Sequence, residues 1–101
     1  MMDAELYQAA ADKWGADAQA GIAVEEMGEL IAALSRYARG RVGIEAVAEE
    51  VADVMICMEQ MAFAFCPQGM VGDFKQQKIE RLAQRVASSN GDERWMRIKS
   101  S

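Results

Sequence analysis

Glycine and proline divide this chain of 101 residues into a few long segments that can be helical. The breaks fall at Gly15, between Gly40 and Gly43, and from Pro67 to Gly69. Glycine commonly ends helices, and proline cannot continue one because it lacks an amide hydrogen and its ring clashes with the preceding turn. The segments between the breaks are rich in alanine, methionine, leucine and glutamate, which favour helix. The sequence therefore predicts an all-α chain.

Four helices are predicted from apolar residues that recur every three or four positions. Their expected ranges are about 4–14, 17–38, 44–65 and 73–87. Asp3 and Asp73 are the expected caps of the first and last helices. Because short connections favour antiparallel neighbours, we expect a four-helix antiparallel bundle-like domain around a long central hairpin.

One domain is expected to span residues 1–101. The tail from about residue 88, with Trp95, Met96 and Ile98, is predicted either to be flexible or to dock on a partner subunit. Eight methionines and apolar stripes on all four helices exceed what one bundle of this size can bury. We therefore expect a homodimer or a homotetramer.

Composition excludes several classes of function. A net charge of −5 argues against binding to a nucleic-acid polymer, and the absence of histidine excludes histidine catalysis and zinc–histidine sites. No apolar stretch reaches the 18 or so residues that a membrane span needs, and the first residues carry no basic signal-peptide region. With two isolated thiols, Cys57 and Cys66, the expected location is the reducing cytoplasm.

A short acidic pattern occurs twice in the central hairpin. Its first copy is Glu25, Glu26 and Glu29, and its second copy, 24 residues later, is Glu49, Glu50 and Asp53. At about 100° per residue, Glu26 and Glu29 flank the apolar stripe of their helix as Glu50 and Asp53 flank theirs. Glu25 and Glu49 point further outwards. If the two helices pack through their apolar stripes, the four inner acids can converge.

A cluster of carboxylates against apolar surface needs a compensating positive charge. Mg²⁺ is the natural candidate, because it prefers oxygen ligands and keeps positions for water and phosphate. The alternative is that these acids form a solvated helix face, which is common on helical proteins.

The segments AVEEMGELIAAL and AEEVADVMICMEQM carry a resemblance to a known family. They resemble the MazG-type all-α nucleoside triphosphate pyrophosphohydrolases, whose marker is E-x-x-E, a variable spacer and E-x-x-D. Glu26 to Glu29 and Glu50 to Asp53 match the marker, with 20 residues between the two parts. The similarity extends from the KWG segment at Trp14 to the KIERLAQR segment of the last helix.

The resemblance implies Mg²⁺-dependent hydrolysis of a nucleoside triphosphate to the monophosphate and pyrophosphate, in nucleotide-pool control or house-cleaning. Mn²⁺ is a possible substitute for Mg²⁺. Glu26, Glu29, Glu50 and Asp53 become the expected metal ligands, and Glu25 and Glu49 are alternatives for the general base.

Cations are needed to stabilise the leaving pyrophosphate. The expected phosphate-binding residues, all on the last helix, are Lys75, Lys78, Arg81 and Arg85. The alternative for each is a solvated basic face, and Arg36, Arg39 and Arg41 near the hairpin turn are weaker candidates.

Base-binding candidates are Trp14, Gln19 and Tyr37, although core or interface packing is the alternative for the two aromatic residues. A non-catalytic helical module that binds nucleotide or a protein partner is the alternative function.

Overall fold

The computed structural model describes residues 3–88, and within this range every regular element is an α-helix. The elements are α1 (Asp3–Trp14), α2 (Ala16–Ala38), α3 (Ile44–Phe65) and α4 (Met70–Ala87). The all-α class and the four helices are confirmed. The predictions for the tail after residue 88 lie outside the described residues.

The helices α2 and α3 form the central hairpin. They pack along each other, and only residues 39–43 connect them, so they run antiparallel. The first helix contacts both of them, and the three together belong to one compact unit that ends at Gln68. The helix α4 belongs to a second unit, which begins at Gly69 and is described by itself.

Small side chains dominate the buried part of the first unit. The buried residues are Ala10, Gln19, Ala23, Ala33, Val47 and Cys57. Alanine allows two helices to approach closely, because its methyl group needs little space between the backbones. The backbones of α2 and α3 are therefore close enough for acidic side chains on both helices to meet.

Two glycines set the beginnings of helices. Gly15 has φ of 81° and separates α1 from α2, and Gly69 has φ of 86° and precedes α4. Glycine adopts this left-handed region without the steric cost that other residues incur. One residue is therefore enough to separate α1 from α2.

The predicted cap Asp73 is wrong, since this residue lies inside α4, whereas Asp3 is the first residue of α1 that the structure describes. The reason at α4 is Gly69, whose turn starts the helix at Met70, three residues earlier than predicted. The amide of Asp73 donates to the carbonyl oxygen of Gly69 at 2.9 Å, as in a regular helix. Its negative charge lies in the first turn, where it favours the positive end of the helix dipole.

Many large apolar side chains remain exposed on the hairpin. On α2 they are Ile22, Val24, Met27, Ile31 and Leu34. On α3 they are Ile44, Val51, Met55, Ile56, Met58, Phe63 and Phe65. Much apolar surface of the hairpin therefore remains in contact with solvent.

Candidate metal centre

Three carboxylates from two helices meet at the centre of the hairpin. Glu26 and Glu29 on α2 and Glu50 on α3 each offer an oxygen atom, and these atoms all lie within 4.8 Å of one another. Glu26 and Glu50 are half-buried, whereas Glu29 is exposed. The inward arrangement expected from the helical phase is therefore observed for these three residues.

The fourth predicted ligand, Asp53, is not part of this group of oxygen atoms. It is nevertheless close enough for its negative charge to contribute to the raised pKa of Glu26 and of Glu50. An aspartate side chain is one methylene shorter than a glutamate, so the same helical phase brings its oxygens less far across the hairpin. The expected convergence is therefore observed for three of the four acids, and the role of Asp53 as a ligand stays a prediction.

Two carboxylate oxygens in the cluster are buried without compensation. Oε2 of Glu26 and Oε2 of Glu50 have no hydrogen-bond partner in the described part of the chain. A buried acceptor normally finds a donor, because leaving it unsatisfied costs free energy. These two oxygens mark the place where a positive group would be most stabilising.

The electrostatics of the cluster agree with its geometry. The pKa of Glu26 is raised, first by burial and then by the charges of Glu29, Asp53 and Glu50. The pKa of Glu50 is raised by burial and then by the charges of Glu29, Asp53 and Glu49. Burial and the neighbouring charges therefore make it harder for Glu26 and Glu50 to ionise, which a divalent cation would reverse.

Cys57 lies beside the same acids. Its thiol is buried, and its pKa is raised by burial and then by the charges of Glu26 and Asp53. Both Cys57 and Cys66 are free thiols. At neutral pH, Cys57 is therefore a protonated thiol that packs next to the cluster.

A cavity of about 640 Å³ extends from the cluster towards the hairpin turn. Its acidic lining comprises Glu25, Glu29, Glu49 and Glu50. Arg36, near the end of α2, lines the same cavity. Both alternatives for the general base thus lie beside the proposed ligands, and one cation lines the cavity with them.

The predicted base-binding residues separate into two places. Trp14 and Gln19 line one cavity, which also includes Ala18, Ile22 and Gln60. Tyr37 lies 18 residues after Gln19 on the same helix, which is about 27 Å along the axis. A single base cannot contact both Gln19 and Tyr37 of the same chain, and the base-binding role of each residue stays a prediction. Trp14 does not pack in the core of the chain, since 59% of the residue is exposed, and its packing at an interface stays a prediction.

The predicted phosphate-binding residues lie on α4. Lys75 and Lys78 line a groove on this helix together with Val71, Phe74, Ile79 and Leu82. Arg81 is exposed and Arg85 is half-buried. Their role at the cluster stays a prediction.

The sequence-based prediction undervalued two residues that line these cavities. Gln60 was not a candidate, although it lies three residues after Cys57 and seven after Asp53, and therefore near their face of α3. Arg36 was a weaker candidate than the basic residues of α4. It follows Glu29 by seven residues, so the same argument places it on the face of Glu29.

No helix in residues 3–88 is both long enough and apolar enough to span a membrane. No protein-family model, curated protein or solved structure matches this chain.

Proposed function

We propose that this protein hydrolyses a nucleoside triphosphate to the monophosphate and pyrophosphate with the help of Mg²⁺. The observation that carries the proposal is the pair of buried, unpartnered oxygens on Glu26 and Glu50, with an oxygen of Glu29 inside the same group. Helix-borne acids are common in proteins, but buried oxygens without donors are not. They support a site that is completed by a cation.

The donor set fits magnesium. It consists of carboxylate oxygens alone, which hard cations prefer, and few carboxylates are needed because Mg²⁺ retains several waters. Glu26, Glu29 and Glu50 would hold the ion, and Asp53 would complete the set through its nearby charge. When bound, Mg²⁺ supplies positive charge for the triphosphate and lowers the pKa of a water.

The residues of the cavity have separate tasks in this proposal. Glu25 or Glu49 accepts a proton from the attacking water, whose oxygen forms a new bond to phosphorus as the bridging bond between the α- and β-phosphates breaks. Pyrophosphate leaves with negative charge, which Arg36 stabilises through its planar guanidinium. These separate roles are supported by the fact that Arg36 and the acids line the same cavity. The basic residues of α4 are further candidates for the same task.

Self-association is part of the proposal. Large exposed patches of apolar side chains are typical of surfaces that another protein covers. The exposed side chains on α2 and α3 support a homodimer or homotetramer that buries the hairpin.

The direct test is a panel of common and modified nucleotides with Mg²⁺, in which released pyrophosphate is measured and the nucleotide products are separated. We expect monophosphate and pyrophosphate from at least one nucleotide. The Glu50→Gln and Asp53→Asn variants should abolish the release without loss of folding. Formation of diphosphate and inorganic phosphate, or no release from any nucleotide, would contradict the proposal. Nucleotide binding without turnover would favour the alternative of a binding module.

A further inference from the structure

A second cavity, of about 340 Å³, lies where the junction of α1 and α2 meets α3. It is lined by one aromatic residue, Trp14, by the small or apolar residues Ala18 and Ile22, and by two residues with amide side chains, Gln19 and Gln60. Sites for small organic molecules are typically apolar and aromatic, with a few polar groups that orient the ligand. The composition of this cavity is therefore suited to a flat, partly polar ring.

Gln19 is the residue that indicates a ligand. Only 7% of it is exposed, and its Nε2 has no hydrogen-bond partner in residues 3–88. Rotating the amide by 180° exchanges the nitrogen and the oxygen, so either atom can be presented to the cavity. A buried amide without a hydrogen-bond partner destabilises the fold. An apolar residue at this position of α2 would avoid that cost. A bound group with hydrogen-bonding atoms on its edge would compensate it.

The position of the cavity relates it to the carboxylate cluster. Gln19 precedes Glu26 by seven residues on α2, which is about 10 Å along the helix axis. On α3, Gln60 follows Asp53 by the same seven residues. The buried residues Ala23 and Cys57 lie between the cavity and the cluster, one on each helix. Two helical turns of the same hairpin therefore separate the two sites.

We propose that this cavity binds the nucleobase of the substrate, with the Trp14 ring against the face of the base and the amides of Gln19 and Gln60 at its edge. This inference rests on the proposed triphosphate hydrolysis. Trp14 is exposed enough to offer a ring face, and base–aromatic stacking is a general mode of nucleotide binding. Two amides provide both donors and acceptors, so they can distinguish one base edge from another.

The proposal also fixes the direction of the substrate. With the base near Gln19 and Gln60, the phosphates extend past the cluster towards the hairpin turn, where Arg36 lines the larger cavity. The base end and the phosphate end then lie on opposite sides of the carboxylates.

The test uses the fluorescence of Trp14 in a full-length Trp95→Phe background, in which Trp14 is the single tryptophan. The probes are the four common ribonucleosides and their 5′-monophosphates, with millimolar Mg²⁺. We expect at least one base to quench the emission of Trp14. The Gln19→Met variant, which keeps the length of the side chain, should weaken the binding of that base about tenfold, the loss expected for one hydrogen bond that specifies a ligand.

The same variant gives a second readout. Since Gln19→Met removes an unpartnered amide from the interior, it should raise Tm. It should also reduce the differences in affinity among the four bases. Gln60→Met should also flatten the preference. Gln8→Met is the matched control, because Gln8 is an exposed amide on α1 that pairs with Asp12, and it should leave the preference unchanged.

The possible results separate this inference from the proposed function. Pyrophosphate release with an unchanged base preference in both the Gln19 and Gln60 variants would overturn the base site and leave the hydrolase intact. Quenching of Trp14 that the two variants weaken, without pyrophosphate release from any nucleotide, would support the base site and contradict the hydrolase. Absence of any quenching would overturn the base site.

Discussion

The hydroxyl of Tyr7 on α1 donates a hydrogen bond to the carboxylate of Glu59 on α3, 52 residues further along the chain. The ring of Tyr7 also packs against that of Phe63, with 6.3 Å between the ring centroids. The hydrogen bond to a carboxylate, followed by burial, raises the pKa of Tyr7 to about 12. These contacts hold α1 against the hairpin, and Trp14 at the end of α1 is thereby held at the smaller cavity.

Tyr7→Phe should lower Tm by several degrees, because it removes the hydrogen bond and keeps the ring contact. Thermal unfolding followed by circular dichroism measures the change. Tyr37→Phe is the control, since Tyr37 is exposed on α2. The difference between the wild type and Tyr7→Phe should disappear as the pH rises from about 10 to about 12, because the raised pKa belongs to the folded state. An equal effect of the two substitutions would contradict the anchoring role of Tyr7.

Mg²⁺ should stabilise the wild type, since the proposed metal site exists only in the folded hairpin. At 100 times its dissociation constant, a ligand adds about 2.7 kcal/mol to the free energy of unfolding. Glu26→Gln and Glu50→Gln should abolish the increase in Tm, and without Mg²⁺ they should be at least as stable as the wild type. Glu80→Gln on α4 is the control, and it should retain the response to Mg²⁺. A Tm that is indifferent to millimolar Mg²⁺ in the wild type would contradict the metal centre.

The metal-free protein should lose stability as the pH rises through the raised pKa values of Glu26 and Glu50. The folded state holds these protons more tightly than the unfolded state, so this contribution is fully present below the unfolded value of about 4.5. It decreases as the two carboxyl groups ionise above that value. The measurement is the difference in urea midpoint between the wild type and Glu26→Gln across this range, in the presence of a chelator. A difference that stays constant with pH would contradict the raised pKa.

Arg36→Gln should lower kcat/KM for the best nucleotide by at least tenfold, because it removes the cation of the larger cavity. The response of Tm to Mg²⁺ should stay unchanged, since no carboxylate is altered. Arg39→Gln is the matched control, as Arg39 lies three residues later at the exposed end of α2 and does not line that cavity. Equal losses in the two variants would indicate a general effect of positive charge at the turn.

Sedimentation velocity should show a species larger than the monomer, and Tm should increase with protein concentration. Ile31→Lys, at a side chain of α2 that is 69% exposed, should shift the protein towards the monomer. Gln84→Lys adds the same charge at an exposed polar position of α4 and is the control. A wild-type monomer at all concentrations would contradict the homo-oligomer.

The parts of the structure that depend on local pattern could be predicted from the sequence. The range of α3 follows from the apolar period between Ile44 and Phe65, and the cluster follows from the phase of Glu26, Glu29 and Glu50 against the apolar stripes. The start of α4 was missed because the left-handed turn at Gly69 outweighs the capping preference of Asp73.

The remaining features depend on distances between helices, which a helical wheel does not contain. The position of Gln60 in a cavity that residues of α2 also line is of this kind. The same limit applies to Arg36. Its phase was available from the sequence, but the cavity that joins it to the acids was not.

The buried alanines of α2 have a consequence for the choice of ion. Ala23 and Ala33 lie on either side of Glu26 and Glu29 along this helix, and both face the interior of the hairpin. A bulkier residue at either position would move the two helix axes apart, and the facing oxygens would separate with them. If the proposed site binds a cation, uncharged substitutions at these alanines alone would change the radius of the ion that fits best. They would alter the preference between Mg²⁺ and the larger Mn²⁺ or Ca²⁺ while the three carboxylates are retained.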